Sequence, residues 1–153
     1  MSMSSGKKIM DEVISVLERA RDEGSMLREV IVQAYSEASW SDDRVSAYPV
    51  AIIRPPRIGA ESPHTSNFED TRTYTFLIHV VVKNELINRN TYLVELADEI
   101  SDQLSVEIDL DNTATAGCEV VSSSDPVEFS VGGTGYTIFE IQFSAKALIQ
   151  IYE

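Results

Sequence analysis

Only a few side chains in this sequence have the types that catalysis requires, and their spacing does not group them into a site. The histidines are His64, in a proline-rich segment, and His79, on the polar side of a predicted strand. A zinc site or a catalytic triad needs several partners at suitable spacing, and the sequence nominates none for either histidine. The lone Cys118 has no neighbouring base and is typical of a small buried residue. We therefore expect no enzymatic activity, no metal and no other cofactor.

Two further segments have compositions that suggest ligand binding. The Gly-Gly-Thr-Gly motif at residues 132–135 lacks the Lys-Ser/Thr ending and the following helix of a phosphate-binding loop, so we interpret it as the turn of a β-hairpin. The residues Asp109, Asp111 and Asn112 suggest a calcium loop. However, the sixth position of that loop is not Gly, and Val120 stands at the twelfth, so no metal is expected there.

The sequence is strongly acidic, with 25 Asp and Glu against 12 Lys and Arg and a formal net charge of −13. Residues 90 to 145 contain eleven acids and no Lys or Arg, whereas the first 89 residues are nearly neutral. Because nucleic acids are bound mainly through phosphate neutralisation by Lys and Arg, the composition argues against a nucleic-acid-binding protein. Three interpretations stay open: a solvated face, a surface that must not adhere to DNA, or adaptation to a salt-rich host.

The acidic region begins in the second of two predicted amphipathic helices, which is expected to be capped by Asn88 or Asn90. Apolar residues at three- and four-residue spacing define its buried side. The opposite side, predicted to be an acidic channel or solvent face, consists of Glu95, Asp98, Glu99 and Asp102. The first helix is predicted over residues 7 to 23, where Gly24 ends it.

Alternating apolar and polar residues predict the strands, most clearly over residues 72 to 83 and from residue 137 to the end of the chain. Shorter strands are predicted over residues 48–54, 118–122 and 127–131. Residues 26–38 suit either a strand or a helix, and we favour a strand. Residues 55–71 contain three Pro and one Gly and are predicted to be a long exposed loop. Residues 1–6 are predicted to be a flexible lead.

These elements predict one α+β domain over residues 1–153, with a mostly antiparallel β-sheet packed against two amphipathic helices in two layers. A chain of 153 residues is long enough to bury a core without disulfides. The polar segment of residues 1–8 is not typical of a signal peptide. Because no apolar run approaches the roughly 18–20 residues that a membrane span requires, we expect no membrane association.

Four residues in polar segments are predicted to lie in protein–protein contacts, because Arg and aromatic side chains are enriched in interfaces. They are Trp40, Arg54, Arg57 and Phe68. The two arginines flank Pro55 and Pro56 and form the only local basic cluster in the sequence. We expect them to pair with acids of the same chain or of a neighbouring chain.

The order of elements is that of an N-terminal helix, the strand AYPVAIIRPP, a long polar segment, the strand RTYTFLIHVVVKN, the helix NTYLVELADEISDQL and the closing strand GYTIFEIQFSAKALIQIY. This layout resembles the tail terminator, or tail-completion, proteins of long-tailed bacteriophages and related viruses. The resemblance implies a virion protein at the head–tail junction that forms a hexameric ring. Such a ring caps the tail tube, ends its polymerisation and provides the surface to which the head docks, with DNA passing through the centre.

The resemblance also implies the partners, which are further copies of the chain, the tail tube protein and a head-completion or connector protein. The predicted interface residues would then contact a neighbouring subunit or the tube. Another head–tail connector, expected as a twelvefold ring, is the first alternative. A cellular α+β ligand-binding domain is the second, and it would be monomeric or dimeric with a concave apolar pocket.

Overall fold

The computed structural model describes residues 5–33, 44–62, 69–107 and 118–150. This part of the chain forms an α+β fold of two helices and a seven-stranded mixed sheet, which confirms the predicted fold class. The elements in chain order are α1 (Ser5–Asp22), β1 (Glu29–Val32), β2 (Val50–Ile53), β3 (Arg57–Ser62), β4 (Glu69–Lys83), a 3₁₀ turn (Asn84–Leu86), α2 (Tyr92–Glu107), β5 (Cys118–Ser123), β6 (Val127–Val131) and β7 (Thr134–Gln150).

Two long central strands organise the sheet, whose order is β1-β2-β4-β7-β5. Strand β4 pairs with β7 in antiparallel register along their length. Strands β2 and β3 pair with the same edge of β4. Arg54, Pro55 and Pro56 separate the two strands, because proline has no N–H to donate to the ladder. Strands β5 and β6 likewise pair with the outer edge of β7 and are interrupted by residues 124–126. Only the β1–β2 pair is parallel among the described strands.

The prediction of a loop over residues 55–71 is wrong for most of the residues in this range that the structure describes. Residues Arg57–Ser62 form β3, and residues 69–71 already belong to β4. The prediction followed local composition, but hydrogen bonds from β4 compensate for the weak strand propensity of Gly59 and Ser62. Residues 63–68 lie outside the described residues.

Three element boundaries also differ from the sequence-based prediction. Helix α1 begins at Ser5, so the predicted lead of residues 1–6 overlaps its first turn. The first strand covers Glu29–Val32 within the predicted range of residues 26–38. Helix α2 begins at Tyr92, so Thr91, and not Asn88 or Asn90, precedes the first helical residue.

The main core lies between the two helices and one face of the sheet, which we call the inner face. The alternating residues of β4 that were predicted to face a core are buried there: Tyr74, Phe76, Ile78, Val80 and Val82. Phe76 lies opposite Phe143 of β7, and their ring centroids are 6.2 Å apart. Helix α1 contributes Ile9, Val13, Val16 and Leu17, and α2 contributes Leu96, Ile100 and Leu104.

A tight turn joins β6 to β7, as the sequence predicted. Val131 pairs with Thr134, which leaves Gly132 and Gly133 as the two turn residues. Their φ angles are +58° and +84°, a backbone conformation that glycine adopts without the steric cost of a Cβ atom. The Gly-Gly-Thr-Gly motif is therefore a hairpin turn.

Candidate interaction surface

The opposite face of the sheet, which we call the outer face, is not packed against either described helix. Residues alternate between the two faces of a strand, so Thr75, Leu77, His79 and Val81 of β4 lie on the outer face. A second apolar cluster lies there, made up of Val50, Ile52, Val81 and Tyr136, and it contains no helical residue. One end of the outer face is apolar and the other is polar. The apolar end can bury hydrophobic side chains, and the polar end can form hydrogen bonds and ion pairs.

The polar end contains a shallow groove between β3 and β7, with a volume of about 390 Å³. Its lining includes Arg57, Thr73, Thr75, Leu77 and Gln142. The groove shares three of its lining residues with a smaller recess of about 90 Å³. We call this smaller site the arginine recess, and it is lined by Arg54, Pro55, Arg57, Thr75, Leu77 and His79.

The two arginines of this recess are the pair that the sequence nominated for an interface. The Nε atom of Arg54 is buried and has no hydrogen-bond partner in the part of the chain that the structure describes. Arg57 is exposed, and no described acid forms an ion pair with either guanidinium. The expected pairing with acids of the same chain therefore does not occur among the described residues. An unsatisfied buried N–H costs about 1–3 kcal/mol, so an acceptor that reaches this atom would be stabilised by it.

A histidine–carboxylate contact at the recess was missed by the sequence analysis. The Nε2 atom of His79 lies 2.7 Å from the Oε2 atom of Glu140. The two residues are directly opposite each other in the β4–β7 register, and both side chains are partly buried. The sequence places each residue on the polar side of its strand, but only the register between strands brings them together. The pair is positioned to hold the imidazole ring at the edge of the recess.

The apolar end of the outer face extends beyond the cluster onto the β6–β7 hairpin. We call this extension the hairpin patch, which consists of Val127, Phe129, Val131, Tyr136 and Ile138. Val127 is 59% exposed and Val131 is 47% exposed. The Phe129 ring stacks on Tyr136 with a centroid distance of 5.5 Å, and Tyr48 contacts Tyr136 from the other side at 5.6 Å. The patch therefore consists of exposed valines next to packed aromatic rings.

The four predicted acidic residues of α2 do not form one uniform solvent face. Glu95 accepts hydrogen bonds from Arg89 and Thr91, and the bond from Arg89 lowers the pKa of this carboxyl below its ordinary value. Asp98 and Asp102 are exposed, as predicted. Glu99 is the exception, because its carboxylate accepts hydrogen bonds from the Met26 N–H at 3.0 and 3.2 Å. Glu99 is therefore partly buried and less exposed than its neighbours, and its place in the acidic face stays a prediction.

Glu99 connects α2 to the segment between α1 and β1, so its removal should destabilise the fold. We expect Glu99→Ala to lower the free energy of unfolding by about 1–3 kcal/mol, because the partly buried Met26 N–H loses its acceptor. Urea denaturation measures the change. The matched control is Asp98→Ala, an exposed acid on the same helix, which should change stability by no more than about 0.5 kcal/mol. Equal losses in both variants would contradict a structural role for Glu99.

Two of the predicted interface residues and several other candidates cannot be placed. Trp40 falls in residues 34–43 and Phe68 in residues 63–68, both outside the described residues. His64 and the Asp109, Asp111 and Asn112 segment also lie outside them. Within the described ranges, no three His, Cys, Asp or Glu side chains are grouped closely enough to hold a metal ion.

Two comparisons with known proteins indicate no function for this chain. No protein-family model matches the sequence, and no curated protein matches it. Neither helix of the described chain is long and apolar enough to cross a membrane.

Proposed function

We propose that this protein is the subunit of a ring at the head–tail junction of a tailed virus. We expect the ring to be hexameric. The ring caps the tail tube, ends its polymerisation and offers a docking surface to the head. The observation that carries the proposal is the outer face of the sheet, which combines exposed valines with two arginines that form no ion pair among the described residues. The viral assignment rests on the resemblance in the order of the elements predicted from the sequence.

The hairpin patch is better explained by assembly than by solvation. Contiguous exposed apolar surface on soluble proteins marks interaction sites more often than scattered exposed residues do. Val127, Val131 and the partly buried Phe129 and Ile138 lie on one side of one hairpin. Burial of such side chains against another copy removes their apolar area from water, at roughly 25 cal/mol per Å².

The charge distribution suits a channel through which DNA passes without binding. The stretch of residues 90–145 has no Lys or Arg, and Asp98 and Asp102 are exposed on α2. Arg89 forms an ion pair with Glu95, and the Met26 N–H donates a hydrogen bond to Glu99. Asp98 and Asp102 therefore carry the remaining exposed charge of the predicted acidic face. An acidic lining repels DNA within about 8 Å at physiological ionic strength, so it acts only at close approach.

The mass of the purified protein, measured by native mass spectrometry, tests the proposal, together with negative-stain images of the same sample. We expect a species of six times the chain mass and a ring with an open centre. The same measurement at high salt is expected to show partial dissociation, because ion pairs at the interface are screened. A twelvefold ring would favour a head–tail adaptor instead. A strictly monomeric protein at every concentration would contradict a ring subunit.

A ligand-binding domain is the second candidate, and the arginine recess is the observation that favours it. Two guanidinium groups beside His79 provide hydrogen-bond donors suited to a small carboxylate ligand. If the protein is monomeric and millimolar citrate raises its melting temperature, this candidate replaces the ring subunit. An Arg57→Ala variant, which removes one guanidinium, serves as the control and should lose the effect.

A further inference from the structure

We infer that the arginine recess of one copy binds a carboxylate on the β5–β6 edge of the next copy, supplied by Asp125 or Glu128. The inference rests on the proposed function, and it adds which surfaces join the subunits. It requires two complementary sites at different places on one chain. Such a contact is heterologous, and repeated heterologous contacts close into a ring when the rotation permits.

The recess has the chemistry of a carboxylate site. The buried Nε–H of Arg54 has no partner among the described residues, and Arg57 presents an exposed guanidinium that lines the same recess. A guanidinium donates two parallel hydrogen bonds to a carboxylate, and such charge-assisted bonds are roughly twice as strong as neutral ones. The imidazole of His79 already contacts Glu140, so the unsatisfied donors of the recess are those of the arginines.

The acids most suited to this role lie on the edge formed by β5, residues 124–126 and β6. Asp125 and Glu128 are exposed, and neither has an ion-pair partner among the described residues. Both lie in the stretch of residues 90–145, which contains no Lys or Arg. No base of the described residues is ion-paired with either acid, so a base from another copy meets no such competitor at this edge.

Arg57 and Glu128 cannot meet within one copy. Strand β3 lies on one side of β4 and β6 on the far side of β7, which is a separation of three strand spacings, or roughly 14 Å. They are also displaced along the strands, because Arg57 is opposite Thr75 whereas Glu128 is opposite Thr137, the partner of Val82. At about 3.4 Å per residue, this displacement is roughly 24 Å. Their pairing therefore requires two molecules.

Apolar side chains accompany the charges at both edges. Ile58 follows Arg57 and is 67% exposed, and Val127 precedes Glu128 and is 59% exposed. Each of these apolar side chains lies on the opposite face of its strand from the neighbouring charge, so it adds apolar contact at the same edge without surrounding the ion pair. The two edges thus complement each other in charge and share exposed apolar surface, as an interface between copies requires.

Charge reversal on each edge, followed by mixing, tests the inference. Arg57→Glu alone is expected to lose the ring, as is the double variant Asp125→Lys/Glu128→Lys, because each places like charges at every contact. When the two are mixed in equal amounts, the reversed edges are complementary and the unchanged edges are complementary as well. We expect rings to return with equal numbers of both chains, which native mass spectrometry resolves by their mass difference.

The controls separate charge from folding and from other acidic surfaces. Circular dichroism and thermal melting should show that each variant is folded. Asp98→Lys/Asp102→Lys makes the same change of net charge on α2 and should leave the ring intact. If that variant dissociates and is restored by Arg57→Glu, then α2 and not the β5–β6 edge supplies the carboxylate, and the assignment is overturned.

The remaining outcomes distinguish this inference from the proposed function. If the unmodified protein forms a ring that neither edge variant disturbs, the edge contact is wrong and the ring subunit stands. If both variants dissociate but mixing does not restore rings, the direct pairing of the two edges is wrong. If the unmodified protein forms no ring, the proposed function fails, and the inference fails with it.

Discussion

The double variant Val127→Asp/Val131→Asp is expected to dissociate the ring into folded monomers at concentrations where the unmodified protein is assembled. Both valines lie in the hairpin patch, with 59% and 47% of their surface exposed. Burial of a valine contributes roughly 1.5–3 kcal/mol, and each 1.4 kcal/mol is a tenfold change in the association constant. Adding a charge to each position removes this contribution and requires desolvation of a carboxylate. We expect association to weaken by at least about a hundredfold.

Sedimentation velocity across a concentration series measures this effect, and thermal melting of the monomer measures its fold. The matched control is Val94→Asp, because Val94 is 60% exposed but lies on α2, away from the outer face. This control should keep the ring. An unchanged ring in the double variant would exclude the hairpin patch from the interface, although the arginine recess could still be tested separately.

Phe143→Ala is expected to lower the free energy of unfolding by about 3–5 kcal/mol, the usual range for removal of a buried phenylalanine ring. Phe143 is fully buried in the main core and packs against Phe76 with a centroid distance of 6.2 Å. Aromatic pairs of this kind contribute about 0.5–1.5 kcal/mol beyond their buried area. Because domains of this size are stable by only about 5–15 kcal/mol, the variant should be close to unfolding at physiological temperature.

Urea denaturation should be measured in the Val127→Asp/Val131→Asp background, because assembly makes apparent stability depend on protein concentration. A lower midpoint with an unchanged slope indicates a loss of stability without a change in the surface exposed on unfolding. Phe143→Leu, which keeps most of the apolar volume, is the matched control and should lose much less. A loss below about 1 kcal/mol for Phe143→Ala would contradict the packing of β7 against the helices.

Much of the fold follows from patterns that act over a few residues. Alternation along residues 72–83 predicted the buried side of β4, and three- and four-residue spacing predicted the buried stripe of α2. The glycine pair of the hairpin turn was also predictable, because the backbone of a two-residue turn favours glycine. In each case the chain itself brings the interacting residues together, so the information is local.

The contacts that define the candidate surface depend on partners distant in the chain. His79 meets Glu140 only through the β4–β7 register, and Glu99 meets Met26 only because α2 packs beside the end of α1. The segment over residues 57–62 was predicted as a loop from its composition, but pairing with β4 makes it a strand. Arg54 and Arg57 could be nominated from sequence, whereas their shared recess could not. A register shift of one residue reverses every side chain, and no local pattern specifies that choice between distant strands.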